Sequence, residues 1–374
     1  MKKENVSART KSLQSKSTCF DRNILILSII FYLGKGGMLK KQLITLSRKI
    51  YNINEHKIQD MIADACSYGL LIKKQVTDTK TNIYVLTKFP LSIFRESTSR
   101  DTTSIRLTNH KLWNNIYRTE FIIRVVIPMM EKQKIDITLE NIFNFMDTHS
   151  ISVFTSENQL SIYQLYQSIE QRFPIKDKEN IQRGEPFFSF FYNDLYASFA
   201  DTYNLHTNFL GIQSEEDISF YQSVKEQLLD EKELTNSPME QKKQYYNLYN
   251  MVAAGFFFIG CPRKPDVITI GIFDTYNNLT LNKIYQNIIC IWYMLERYLG
   301  YTPKITLQVY MKDLDKIKKL LDQESQQGYD FKKQEHHNIN KKLLIFQNMK
   351  VPKQYWEDIT VDYIYFPLEE KYNL

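Results

Sequence analysis

Between residues 22 and 87 the hydrophobic pattern changes period in a fixed order, and that order limits the available folds more than any other feature. Arg22–Leu33 carries a dense apolar run (Ile24, Leu25, Ile26, Leu27, Ile29, Ile30, Phe31) that is too long for one strand. With Asp21 as N-cap it predicts a first helix. Gly34, Gly36 and Gly37 end that helix in a turn. From Leu39 to Tyr51, the residues Leu39, Leu43, Leu46 and Ile50 share one helical face. The turn Tyr51-Asn52-Ile53-Asn54 leads into a third helix over Glu55–Tyr68, with Asn54 as N-cap and Glu55 at the positive helix end. Its buried stripe is Ile58, Met61, Ile62 and Ala65. After Gly69 the period switches from 3.6 to 2. Leu70–Gln75 and Ile83–Thr87 are short β-rich segments around the polar turn Val76–Asn82, which predicts a hairpin.

The run Tyr-Gly-Leu-Leu-Ile followed by Ile-Tyr-Val-Leu-Thr resembles the junction of the third helix and the wing in winged-helix DNA-binding proteins. The likeness covers about 70 of the 374 residues. It implies a helix-turn-helix module whose third helix enters the major groove. His56, Lys57, Gln59, Asp60 and Ala63 lie opposite the buried stripe. Gln59 matches adenine in bidentate fashion, and His56 and Lys57 suit guanine or phosphate. Lys40, Lys41, Arg48 and Lys49 on the second helix, with Lys73, Lys74 and Lys80 on the wing, would hold phosphates. Asp60 and Asp64 oppose this arrangement, because a carboxylate repels phosphate unless it accepts a hydrogen bond from a cytosine amino group.

Charge supports the same end of the chain. Residues 1–90 hold 16 Lys/Arg against 6 Asp/Glu, whereas the other 284 residues hold 32 against 36. Such asymmetry points to a polyanion at the N-terminal end. Residues 1–17 read as a disordered basic arm, yet 18–90 alone hold 11 Lys/Arg against 5 Asp/Glu, so the folded part is itself basic.

The Ser/Thr/Arg-rich stretch 91–108 reads as a linker, in which Arg95, Arg100 and Arg106 either track the backbone of bound DNA or are plain exposed polar residues. A long helix is expected from Asn109 to about Lys132, with Leu112, Ile116, Ile123 and Ile127 on one side, inside a helical region spanning 109–250. The Phe187–Tyr192 aromatic cluster there reads as core. Residues 251–374 predict a small α/β domain. Its elements are a strand at Asp266–Asp274, a helix at Leu281–Leu299, a strand at Lys304–Tyr310, a helix at Leu314–Glu324, and strands at Lys342–Gln347 and Thr360–Pro367. The expected fold class is therefore α+β: an N-terminal winged helix-turn-helix, a helical middle and a C-terminal α/β domain.

Signals for chemistry are sparse. Cys19, Cys66, Cys261 and Cys290 form no CxxC pair, so neither a disulfide framework nor a zinc ribbon is expected, and a reducing, cytoplasmic setting fits. The apolar runs Ile24–Leu33 and Met251–Cys261 are about half of the roughly 20 residues that a membrane helix needs. Gly34-Lys35-Gly36-Gly37 lacks the spacing of a phosphate loop, and Glu335-His336-His337 reads as a solvated loop. Pro265-Asp266 opening a strand, with a second strand after a helix, resembles the replication-relaxation family of mobile-element proteins. These pair a winged helix with a nuclease-like domain. The run Leu307-Gln308-Val309-Tyr310-Met311-Lys312 has no acidic residue where that pattern carries Glu-x-Lys, so two-carboxylate metal binding fails. The expected function is double-stranded-DNA binding by a non-enzymatic homodimer without cofactor or metal, in transcriptional control or plasmid and mobile-element maintenance. The rivals are a plasmid replication initiator or metal-dependent nuclease acting through Asp266, and a protein-interaction module with no DNA target.

Overall fold

The computed structural model describes residues 2–75, 81–95, 109–149, 151–153, 246, 251, 254–260, 267–299, 302–325, 328–330, 335–337 and 341–368. The molecule is mixed α+β and divides into two compact units, residues 1–146 with 367–374 and residues 147–366. The Phe187–Tyr192 cluster, Lys80, Arg100, Arg106, Cys261 and Asp266 lie outside the described residues.

Unit 1 begins with α1 (Lys2–Tyr32). Asp21 sits inside this helix and is not its N-cap, and the stretch expected as a disordered arm is its N-terminal half. No Gly or Pro stands before Gly34 to break the helix, which is anchored where Ile26, Leu27, Ile29 and Ile30 are fully buried. Gly34 is required at the exit, since a Cβ there would meet the carbonyl oxygens of Ile30 and Gly37 at 2.9 Å.

The residues next to this turn form a short strand, β1 (Gly37–Leu39), so Leu39 belongs to a sheet and not to the second helix. That helix, α2, covers Lys40–Tyr51 and ends at Asn52 in the left-handed conformation (φ 51°). Helix α3 (Glu55–Ser67) starts at the expected cap, with the Asn54 side chain accepting from the Lys57 N–H at 2.8 Å. Ile58, Ile62 and Ala65 are buried, and Gly69 (φ 68°) turns the chain out. The hairpin β2 (Leu71–Gln75) and β3 (Asn82–Leu86) follows, and β1 pairs antiparallel with β3 to give the order β1-β3-β2.

Residues 88–94, read in part as linker, form α4 (Lys88–Phe94). Pro90 lies in its first turn, where a missing N–H is tolerated, and Phe94 stacks on Phe31 at 4.7 Å. The long helix expected from Asn109 is present as α5 (Asn109–Phe121), a π-turn (Ile122–Val126) and α6 (Ile127–Lys132). Pro128 explains the wide turn, because its ring would clash with the carbonyl four residues earlier in a regular helix. Buried Gln42 of α2 donates to the Ile116 carbonyl at 2.9 Å and to Glu120 at 3.2 Å, so α5 packs as part of unit 1. Helix α7 (Leu139–Thr148) follows.

Unit 2 is built on the sheet β4-β5-β6-β9. It comprises β4 (Phe257–Gly260), β5 (Val267–Phe273), β6 (Lys304–Met311) and β9 (Ile359–Tyr365). Strand β4 runs antiparallel to β5, whereas β5, β6 and β9 are mutually parallel. Helices α8 (Leu281–Leu299), α9 (Leu314–Ser325) and α10 (Lys341–Asn348) occupy the connections. Alternate residues Ile268, Ile270, Ile272, Ile305, Leu307 and Val309 join Ile288, Trp292 and Phe346 in one core. Two expectations change. Residues 342–347, read as a strand, are helical in α10, a short apolar run being equally compatible with a buried helix turn. Glu335–His337, read as a loop, is β8, paired antiparallel with β7 (Gly328–Asp330). No helix among the described residues is long and apolar enough to cross a membrane. Cys19, Cys66 and Cys290 are free thiols.

Candidate nucleic-acid interface

The exposed face of α3 and the adjoining hairpin enclose a groove of about 770 Å³. Its lining includes Lys40, His56, Gln59, Asp60, Lys73 and Tyr84. Five of the residues expected to contact DNA, Lys40, His56, Gln59, Asp60 and Lys73, thus converge on one surface drawn from α2, α3 and β2. Local geometry explains the convergence. The Asn54 cap fixes the start of α3, so positions 56, 59, 60 and 63 point away from the buried stripe of 58, 62 and 65.

Strand pleating separates the two wing lysines. Lys73 pairs with Tyr84 and lines the groove, whereas Lys74, its neighbour in sequence, falls on the opposite side of the hairpin. Lys57 is exposed near the start of α3, and Lys41 is exposed on α2. Arg48 and Lys49 line a second concavity of about 530 Å³ with Asn52 and Asn54 at the α2–α3 turn. Lys49 is paired with Glu131 of α6, a contact that a phosphate would have to replace. Gln59 donates to Glu55 at 3.0 Å, an intrahelical bond that base contact would have to replace.

The acidic residues of α3 have different surroundings. Asp64 accepts from Arg22 Nη2 at 3.1 Å, from Asn23 Nδ2 at 2.8 Å and from Cys19 Sγ at 3.5 Å, all on α1. The same Arg22 guanidinium lies 5.9 Å from the Tyr68 ring centre. Asp64 therefore ties α3 to α1 and its charge is matched within the fold. Burial, followed by the hydrogen bond to Asp64, pushes the Cys19 thiol up. Burial also raises Cys66, at the edge of the groove, against the pull of Lys73. Sequence reading missed Arg22, Asn23 and Cys19, which lie 41 to 45 residues from Asp64 with no local pattern linking them. It also missed Tyr84, whose alternation within β3 gave no hint of the groove.

Unit 2 has a concavity of about 440 Å³ by the carboxyl end of β6, lined by Asn277, Thr280, Asp313, Lys316 and Lys319 among others. Parallel sheets often bind ligands at this edge. Here the polar groups are engaged with one another. Buried Asp274 accepts from Lys316 Nζ at 2.6 Å and from the N–H groups of Asn278 and Leu279 at 3.0 and 3.3 Å. Asp313 caps α9 through the Lys316 N–H and accepts from Asn277. These bonds hold its carboxyl below the usual range. On β6, Gln308 accepts from the Tyr310 hydroxyl at 2.7 Å. Among the described residues no group of three or more His, Cys, Asp or Glu gathers in a metal-binding arrangement. Compared with known proteins, the chain matches no family model, no curated protein and no solved structure.

Proposed function

We propose that unit 1 is a winged-helix module that binds double-stranded DNA, and that the chain is a site-specific DNA-binding protein. Its role would lie in transcriptional control or in plasmid or mobile-element maintenance. The observation that carries this reading is the element order α1-β1-α2-α3-β2-β3, with β1 closing onto β3, which leaves α3 exposed beside a hairpin bearing Lys73. In this reading α3 lies in the major groove and the hairpin runs along the flanking backbone. Lys40, Lys41 and Lys73 would meet phosphates, while His56, Lys57, Gln59 and Asp60 would face base edges. Two copies would set two α3 helices on half-sites about one DNA turn apart.

Selection of bound fragments from a random duplex library by the full-length protein tests the reading. An enriched motif, repeated at one-turn spacing, is the expected result. Absence of enrichment at moderate salt would transfer unit 1 to protein recognition. A specific observation favours that second reading. Ile24, Leu25 and Tyr32 on α1 and Ile93 on α4 are each about two-fifths exposed, so unit 1 carries apolar surface beyond the proposed DNA face.

A further inference from the structure

The two aspartates of α3, Asp60 and Asp64, are one helical turn apart, and the fold treats them differently. Asp64 is matched by Arg22, Asn23 and Cys19. Asp60 is exposed in the groove with His56, Gln59, Lys40 and Lys73, and among the described residues it makes no hydrogen bond or ion pair. A carboxylate in the middle of a reading helix weakens attraction for every phosphate near it. It gains only where the ligand presents a donor.

Major-groove base edges limit the choice of donor. Guanine offers the acceptors N7 and O6, and thymine offers the acceptor O4, all of which repel an acceptor-only group. Adenine sets its amino group beside the N7 acceptor, which penalises the second carboxylate oxygen. Cytosine presents its N4 amino donor without that neighbour. We infer that Asp60 is a specificity-determining residue that accepts a hydrogen bond from a cytosine amino group facing the middle of α3. This inference rests on the reading of α3 as a major-groove helix.

The test repeats the duplex selection with full-length wild type, Asp60→Asn and Asp60→Ala, followed by titration of the selected site and its single-base variants. The wild-type motif should contain one position restricted to cytosine by about tenfold or more. Asp60→Ala should bring that preference close to onefold and leave the other positions intact. Asp60→Asn should move it towards adenine, because an amide pairs with adenine N6 and N7. Asp60 is exposed, so all three proteins should melt alike. An unchanged motif with uniformly tighter binding by both variants would overturn the inference alone, leaving Asp60 as a surface charge that repels phosphate. No motif for the wild type would overturn the inference together with the DNA-binding reading.

Discussion

The sheet edge of unit 2 and the α2–α3 surface of unit 1 put their charges in different places. In unit 2 the polar side chains near the sheet edge are matched against each other. Asp274 is bound to Lys316, and Glu324 accepts from the hydroxyls of Tyr285 and Tyr363 at 3.1 and 2.6 Å. In unit 1 the matched charges lie at helix contacts such as Arg22–Asp64, while Arg48, Lys57 and Lys73 stay exposed around α2, α3 and β2. Charge that faces inward holds a fold together; charge left exposed on one side is available to a partner. On the proposed function the partner meets the α2–α3 surface of unit 1, and the Asp274–Lys316 pair at the sheet edge of unit 2 is structural.

Removing Asp274 attacks that contrast most severely. Its side chain is 1% exposed and that of Lys316 is 15% exposed, so Asp274→Ala strands a poorly hydrated ammonium and two backbone N–H groups. A loss of about 3–5 kcal/mol is expected for breaking such a pair from one side. Urea unfolding followed by tryptophan fluorescence measures it, since Trp292 and Trp356 both lie in unit 2. A loss below about 1 kcal/mol would mean that the pair behaves as a solvent-screened surface contact, and the contrast would fail on the unit 2 side.

Packing gives the next effect. The Phe257 ring lies across Gly271 and stacks on Phe273 at 4.9 Å. A Cβ on residue 271 would stand 2.6 Å from that ring. Gly271→Ala should therefore cost about 1–3 kcal/mol by overpacking, read by the same unfolding curve. In unit 1 the smaller Asn54→Ala change removes the cap of α3 and should cost about 1 kcal/mol. It should also weaken DNA binding without altering the selected motif, because it loosens the start of the reading helix and touches no base.

Much of the two larger sheets was legible in the sequence. The strands β2, β3, β5, β6 and β9 and the helices α2, α3, α8 and α9 emerged within a residue or two, because each has a long or cleanly periodic apolar pattern. The failures share a cause. Strand β1 has three residues, two of them next to glycines that mark a turn equally well, and only pairing with β3 makes it a strand. Helix α10 carries the tetrad Leu343–Phe346, whose period is ambiguous until Ile345 and Phe346 find the core. In the candidate site, Asp60 and Asp64 are indistinguishable by local pattern. What separates them is α1, more than forty residues away, whose Arg22 and Asn23 reach only Asp64. Tertiary contact therefore decided which acidic residue remained available.

Lys73 and Lys74 permit the smallest and sharpest test. The sequence treats them as equivalent phosphate contacts. Strand pleating places Lys73 in the groove beside α3 and Lys74 on the other side of the hairpin. If α3 lies in the major groove, a groove-side lysine neutralises a phosphate and releases a counterion on binding, whereas a lysine on the far side does so only weakly. Lys73→Ala should lower affinity for every duplex sequence by less than about tenfold and reduce the slope of log K against log salt by about one. Lys74→Ala should leave that slope nearly unchanged. Equal loss of slope in both variants would mean that the whole hairpin enters the DNA, with backbone on each side of it. The groove between α3 and β2 would then be one wall of the interface and not its centre.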